Sequence, residues 1–136
     1  MDTNNNNPAK LSFRIENIQP ILNVKDMVVS RAFYKDLLGF EEASWGTDDF
    51  TSIHRNNSGI YLCKGAQGSA GVWIWVGFDG DIFALHDELE AKGVKIKQPP
   101  LNFSWALEMH IEDPDGHTLR FGTDPNADEP FLDKLR

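Results

Sequence analysis

The stretch IQPILNVKDMVVSRAFYKDLLG, residues 18–39, contains the pattern that decides the fold. Residues 18–24 are predicted to form a short strand, and Asp26 is suited to cap the helix that follows. Gly39 is placed to end that helix in a left-handed conformation. The predicted buried stripe of the helix recurs at four-residue spacing and consists of Val29, Phe33 and Leu37, with Tyr34 and Leu38 beside it.

The same order of elements recurs about 55 residues later in the chain. Residues 71–76 predict a strand, Asp81 is the candidate helix cap, and Gly93 ends the helix. The stripe of this second helix consists of Ile82, Leu85 and Leu89. The chain therefore contains two copies of one supersecondary unit.

Each helix is followed by three short strand patterns. They cover residues 41–45, 50–55 and 59–64 in the first half, and 94–97, 106–112 and 117–122 in the second. The turn sequences NNSG, residues 56–59, and DPDG, residues 113–116, precede or begin the last strand of each half. We therefore predict an α+β protein of two tandem βαβββ modules, which form a curved mixed sheet with a cleft.

The two modules span about residues 15–68 and 70–123, within a single domain of residues 11–123. Residues 1–10 are rich in Asn and are predicted to be disordered. Residues 124–136 form a C-terminal tail, in which Phe131, Leu132 and Leu135 are expected to form a short turn or helix that docks on the body.

Composition excludes several classes of protein. A formal net charge of −8 disfavours a nucleic-acid partner, because phosphate binding requires a basic surface. No apolar run is long enough to span a membrane, and the N-terminus does not resemble a signal peptide, so we expect a cytoplasmic protein. Cys63 is the single cysteine and is predicted to be a small packed residue.

Three segments together resemble the glyoxalase/bleomycin-resistance/dioxygenase superfamily, also called the vicinal oxygen chelate superfamily. They are PILNVKD with the following helix and LGF (residues 20–40), LEAKGV (residues 89–94) and DPDGHTLRFG (residues 113–122). The resemblance implies two modules that face each other around a cleft. It also implies a homodimer, because members of this length usually pair and build their clefts between subunits.

Enzymes of this superfamily typically hold a divalent metal with His, Gln and Glu side chains. Gln19 falls at the first-strand ligand position, whereas Trp73 and Arg120 fall at or near positions where the family has His and Glu. An indole does not ligate a metal in this way, and a guanidinium repels a cation. We therefore expect no metal, no other cofactor and no catalytic residue, so that the sequence favours a protein that is not an enzyme. If a metal does bind, its ligands would be Gln19, His110 and Glu108.

Strand parity predicts what lines the cleft. Trp73 and Trp75 alternate with Val72, Ile74 and Val76, so the two indoles should face away from the helix. His110 and Glu108 should share that face, whereas His117 is expected to stay partly solvated. The predicted ligand-binding residues are Trp73, Trp75, Trp105, Phe103, Trp45, Phe50, Gln19, Asn23, Glu108, His110 and Arg120. The alternative for the tryptophans is burial in a dimer interface or in the core.

The resemblance is closest to the metal-free bleomycin-resistance proteins. It implies a non-catalytic protein that sequesters a cationic or aromatic ligand, such as a bleomycin-like antibiotic, in an aromatic cleft. One alternative is a metal-dependent lyase, transferase or dioxygenase with an atypical ligand set. Another is an accessory or sensor domain.

Overall fold

A computed structural model describes residues 12, 14–65 and 67–135. The predicted disordered segment, residues 1–10, lies outside these ranges. The eight strands are β1 (Ile21–Val24), β2 (Glu41–Glu42), β3 (Phe50–Arg55), β4 (Ser58–Lys64), β5 (Trp73–Gly77), β6 (Lys95–Asn102), β7 (Leu107–Glu112) and β8 (Thr118–Thr123). The helices are α1 (Met27–Arg31), which continues as π-helical turns (Ala32–Leu37), α2 (Ile82–Ala91) and a 3₁₀ turn (Asp133–Leu135).

The strands form two four-stranded sheets with the same topology. Their orders are β1-β4-β3-β2 and β5-β8-β7-β6. In each sheet the first pair is parallel and the other pairs are antiparallel. The predicted α+β fold of two βαβββ modules is confirmed.

One apolar core joins the two modules. Its buried residues come from both helices and from the helix-facing side of both sheets, and include Leu22, Phe33, Ile53, Leu62, Ile82, Leu89, Met109, Ile111 and Leu119. Cys63 is also buried, as predicted. No helix in the described ranges combines the length and the apolar character that crossing a membrane requires.

The first helix buries most of the side chains that four-residue spacing predicted, but not Val29. Val29 is 47% exposed, whereas Met27 and Ser30 are buried. In the wider turns that follow, the Leu38 N–H donates to the carbonyl of Phe33, five residues back. Phe33 is buried and Leu37 packs against the core within these turns, so the predicted stripe is wrong only at Val29.

Both predicted helix caps are present. The Asp26 carboxylate accepts hydrogen bonds from the backbone N–H groups of Val28 and Val29, and Asp81 accepts the equivalent pair from α2. Several strand bounds differ from the prediction, most clearly in β2, which ends at Glu42, and in β6, which continues to Asn102 through two prolines. The chain turns immediately after β2, which leaves the strand only two residues long.

The turn between β7 and β8 forms hydrogen bonds between the second module and the first. The Asp115 carboxylate accepts from the Lys25 backbone N–H at 2.9 Å and from the Ser30 hydroxyl at 3.1 Å. The Asp113 carboxylate accepts from the Tyr34 hydroxyl at 2.7 Å. Burial and the neighbouring Asp113 charge raise the pKa of Tyr34 well above its ordinary value, so this phenol remains a donor.

His117, expected to stay partly solvated, is fully buried. Its Nδ1 accepts from the Val72 backbone N–H at 3.0 Å, and its Nε2 lies 2.8 Å from the carbonyl oxygen of Asn23. These partners require the hydrogen on Nε2. The expectation is therefore wrong, because the histidine closes a gap between β1 and the segment before β5.

The C-terminal tail docks against the end of β6. The Asn102 amide donates to the backbone carbonyl of Asn126 at 2.9 Å, and the Leu132 N–H donates to the carbonyl of Asn102 at 2.8 Å. The predicted terminal turn is present at Asp133–Leu135. A cavity of about 280 Å³, lined largely by apolar side chains, lies between this tail, α2 and β6.

Candidate functional site

The open face of the second sheet brings together most of the predicted site residues of that module. Along β5, Trp73 and Trp75 are 55% and 52% exposed, while Ile74 and Val76 pack against the core. Trp75 pairs with Arg120 on β8, which in turn pairs with His110 on β7. Strand parity therefore predicted this face correctly.

A buried carboxylate organises the centre of this face. Glu108 is 0% exposed, and its Oε1 and Oε2 accept two parallel hydrogen bonds of 3.0 Å from Nε and Nη2 of Arg120. His110 Nε2 lies 2.9 Å from Oε1, and the Trp105 indole N–H donates to Oε2 at 2.8 Å. Three side chains thus hold one carboxylate in a fixed position.

These contacts set the protonation state of Glu108. Burial alone would raise its pKa, but the hydrogen bonds from Arg120, His110 and Trp105 and the charge of Arg120 outweigh that effect and lower the pKa to about 2. Glu108 is therefore ionised at neutral pH, and its charge is balanced by the guanidinium.

Two cations of the protein itself lie over the two indoles of β5. The Arg120 guanidinium is 5.3 Å from the ring centre of Trp75, and the Lys97 ammonium is 4.9 Å from that of Trp73. His110 meets the Trp73 ring edge to face, with 5.3 Å between ring centres. Cation–π and edge contacts thus fix both indoles while leaving each about half exposed.

An open depression of about 700 Å³ lies between Trp75 and Trp105. Gly122 forms part of its floor, because the Trp75 indole lies directly over that residue and would overlap any side chain there. Asp79 and Asp124 also line it. The volume is in the range of sites for drug-sized molecules.

Phe103, a predicted ligand-binding residue, is placed below the surface. It is fully buried and stacks on Trp105, with 5.0 Å between ring centres and an angle of 4° between the rings. Phe103 therefore supports the Trp105 ring, which is 46% exposed.

The predicted residues of the first module lie on its own sheet. Trp45 stacks on Phe50 with 6.2 Å between ring centres, and Tyr61, which the sequence analysis did not select, contacts both rings. Asn23 donates to the backbone of Gln67 at 3.1 Å. Gln19 packs over Gly59, and its buried Oε1 accepts no hydrogen bond from the residues that the structure describes.

Glu108, one of the alternative metal ligands, is already engaged by other side chains. Across residues 12, 14–65 and 67–135, no group of three or more His, Cys, Asp and Glu side chains is arranged to hold a metal ion. Both oxygens of Glu108 already accept hydrogen bonds, and a guanidinium lies against them. A divalent cation at Glu108 would have to displace Arg120.

Lys97 is the functional candidate that the sequence analysis missed. It lies at an irregularity of β6, where Ile96 pairs with Ile111 and Gln98 pairs with His110, so that one extra residue is inserted. In a regular strand, consecutive side chains point to opposite faces. The extra residue of a bulge interrupts this alternation, so a side chain can point to a face that the alternation would not predict. The nearby dipeptide Pro99-Pro100 is the sequence signal that could have indicated an irregular strand here.

The sequence was compared with protein families and with curated proteins. The sequence matches the model of the Glyoxalase/Bleomycin resistance protein/Dioxygenase superfamily over residues 14–121. A search of curated proteins finds no match.

Similar solved structures include TnmS3, an antibiotic binding protein from Streptomyces sp. CB03234, with 19% identity, a TM-score of 0.72 and coverage of 84% of this chain and 99% of that chain. The integron cassette protein VPC_CASS1 of V. Pseudocholerae has 21% identity, a TM-score of 0.71 and coverage of 85% and 100%. A glyoxalase/bleomycin resistance protein/dioxygenase from Nocardioides has 18% identity, a TM-score of 0.69 and coverage of 88% and 91%. At these identities the likeness concerns the fold.

The family match covers most of the chain, and both sheets have the repeated topology that the sequence predicted. The chain belongs to the Glyoxalase/Bleomycin resistance protein/Dioxygenase superfamily.

Proposed function

We propose that this protein binds a planar aromatic small molecule without converting it, on the open face of the second sheet. The observation that supports this most directly is the depression of about 700 Å³ between Trp75 and Trp105. Both indoles are held by the protein yet about half exposed. Aromatic rings fixed in this way gain stacking energy from a planar ligand and lose little side-chain freedom when it binds.

The chemistry of the face favours binding over catalysis. A general acid or base needs a pKa near the working pH and a free proton position. The pKa of Glu108 is about 2, and both of its oxygens accept hydrogen bonds. Glu108 therefore acts as the centre of a rigid support for Arg120, His110 and Trp105.

The charges around the face favour an aromatic over a simple cationic ligand. The protein's own cations, Lys97 and Arg120, already lie over Trp73 and Trp75. A cationic group would instead contact Asp79 and Asp124, which line the depression. An antibiotic is a reasonable candidate, because the similar structure TnmS3 is described as an antibiotic binding protein.

We further propose a cytoplasmic homodimer in which the open face of the first sheet of each subunit lies against the partner. Trp45 supports this arrangement, because it is 55% exposed and large aromatic rings are costly to leave in water. Light scattering on the purified chain should then give twice the mass of one chain, and a single-chain mass would contradict the dimer.

Binding is tested by calorimetric titration of the protein with bleomycin and, separately, with 2-naphthamide as a neutral aromatic probe. Mass spectrometry of each mixture after incubation checks for conversion. We expect saturable binding with unchanged compound. Trp75→Ala should weaken binding roughly tenfold, which is the effect of losing about 1.4 kcal/mol of stacking.

Phe83→Ala is the control, because Phe83 is an aromatic residue of similar exposure that lies on α2 and not on the open face of the second sheet. Its loss should leave the affinity for 2-naphthamide unchanged. Equal losses of affinity in both variants would show that the ligand does not bind in the Trp75–Trp105 depression. A chemically altered compound would contradict a purely binding role.

A further inference from the structure

Lys97 is placed on the open sheet face by a local irregularity of β6. Between the pairs Ile96–Ile111 and Gln98–His110, β6 advances two residues while β7 advances one. Bulges of this kind occur next to binding sites, where they redirect a side chain. The Lys97 ammonium reaches across β7 to the hydroxyl of Thr118 on β8, at 2.7 Å.

No carboxylate within residues 12, 14–65 and 67–135 forms an ion pair with the ammonium of Lys97. The two carboxylates on the same side of β7 are taken by other cations, Glu108 by Arg120 and Glu112 by Lys95. An ammonium has three donors, and Thr118 accepts one of them.

Lys97 lies close enough to the depression to contact a ligand that stacks near Trp75. Trp73 and Trp75 are two residues apart on β5, which separates them by about 7 Å along the strand. A ring system of two or three fused rings that stacks near Trp75 therefore reaches the Trp73 end, where Lys97 lies. Asp79 and Asp124 follow the Gly77–Gly122 pair, at the end of β5 and β8 opposite to the Trp73–Thr118 pair.

We propose that Lys97, together with Thr118 and Trp73, recognises an acidic group, such as a carboxylate or phenolate, on the aromatic ligand. This inference rests on the proposed function and adds the class and the orientation of the ligand. The acidic group lies at the Lys97 end, because the two aspartates repel it from the other end. The ammonium provides an ion pair to the acid while it stays over the indole.

The test compares three probes of one shape by calorimetric titration: 2-naphthoate, 2-naphthamide and 2-naphthylmethylammonium. For the wild-type protein we expect the carboxylate to bind roughly fivefold more tightly than the amide, the size of a partly exposed ion pair. Lys97→Met keeps an apolar stem over Trp73 and removes the charge, so it should abolish the preference. Lys97→Arg should retain it.

Lys95→Met is the matched control, since it removes one positive charge from the same strand at a residue paired with Glu112. It should leave the carboxylate preference intact. A preference that persists in Lys97→Met, or an amide or ammonium probe that binds the wild type as tightly as the carboxylate, would overturn the role of Lys97 while leaving aromatic binding in place. Failure of all three probes to bind the wild type would contradict the proposed function as well.

Discussion

Arg120 and Glu108 meet across β8 and β7 through two parallel hydrogen bonds of 3.0 Å, although the carboxylate has no exposed surface. A fork-to-fork pair of this kind fixes both side chains in orientation as well as in distance. It holds the guanidinium against Trp75, while the same carboxylate holds the Trp105 indole. The shape of the depression therefore depends on one buried ion pair.

Arg120→Met should destabilise the fold. The change leaves Glu108 buried without its main counter-charge, and breaking a buried pair in this way costs about 3–5 kcal/mol. Urea unfolding followed by circular dichroism gives the free energy of unfolding. The double variant Arg120→Met/Glu108→Leu should recover much of the loss, and a double variant less stable than Arg120→Met alone would contradict this account.

The stability provided by Glu108 should depend on pH. Its pKa in the folded protein is about 2, below the ordinary value of 4.5, so folding favours the ionised form. The contribution, on the order of 3 kcal/mol, is present above pH 4.5 and is lost as the pH falls toward 2.

Unfolding free energies of the wild type and Glu108→Gln between pH 6 and pH 2 measure this effect. The difference between the two proteins should be largest near neutral pH and shrink below pH 4.5. Glu42, whose pKa also falls to about 2 beside Thr51, Arg31 and Lys35, is unchanged in both proteins and cancels in the comparison. A difference that stays constant over this range would rule out a low pKa for Glu108.

Gly122→Ala should displace the Trp75 indole, because a methyl group at that position would overlap the ring. We expect roughly tenfold weaker binding of 2-naphthamide and a loss of about 1–3 kcal/mol in stability. In the control Gly77→Ala, the added methyl would lie 3.5 Å from Trp75 Nε1, an ordinary contact. Equal effects of the two substitutions would mean that the Trp75 position does not depend on Gly122.

His117→Leu should weaken the junction between the modules. The imidazole accepts from Val72 and donates to Asn23, and a leucine side chain offers neither group a partner. One buried group left without a partner costs about 1–3 kcal/mol. His54→Leu, at a more exposed histidine beside Glu41, should change the stability by less than about 0.5 kcal/mol.

Calorimetric titration of metal-stripped protein with Zn²⁺, Ni²⁺, Mn²⁺ and Fe²⁺ tests the alternative function. We expect no tight site that depends on Glu108, because Arg120 occupies both of its oxygens. One tight site per subunit that is lost in Gln19→Ala would contradict this expectation and would make metal-assisted chemistry the leading account.

Much of the fold follows from the sequence alone. Asp26 and Asp81 cap helices, and the alternation of β5 assigns Trp73 and Trp75 to the open face, because both signals depend only on local backbone geometry. The repeat of these signals predicts two modules with one topology. Side-chain parity also placed Glu108 and His110 on the same face as Arg120.

Pairing between distant segments decided the rest. The burial of His117 depends on Asn23 and Val72, which are far from it in the chain. The position of Lys97 depends on a register shift between β6 and β7, and the burial of Phe103 depends on the stacking of Trp105 above it. Local periodicity contains no information about such contacts, so only the tertiary structure could show which side chains form the site.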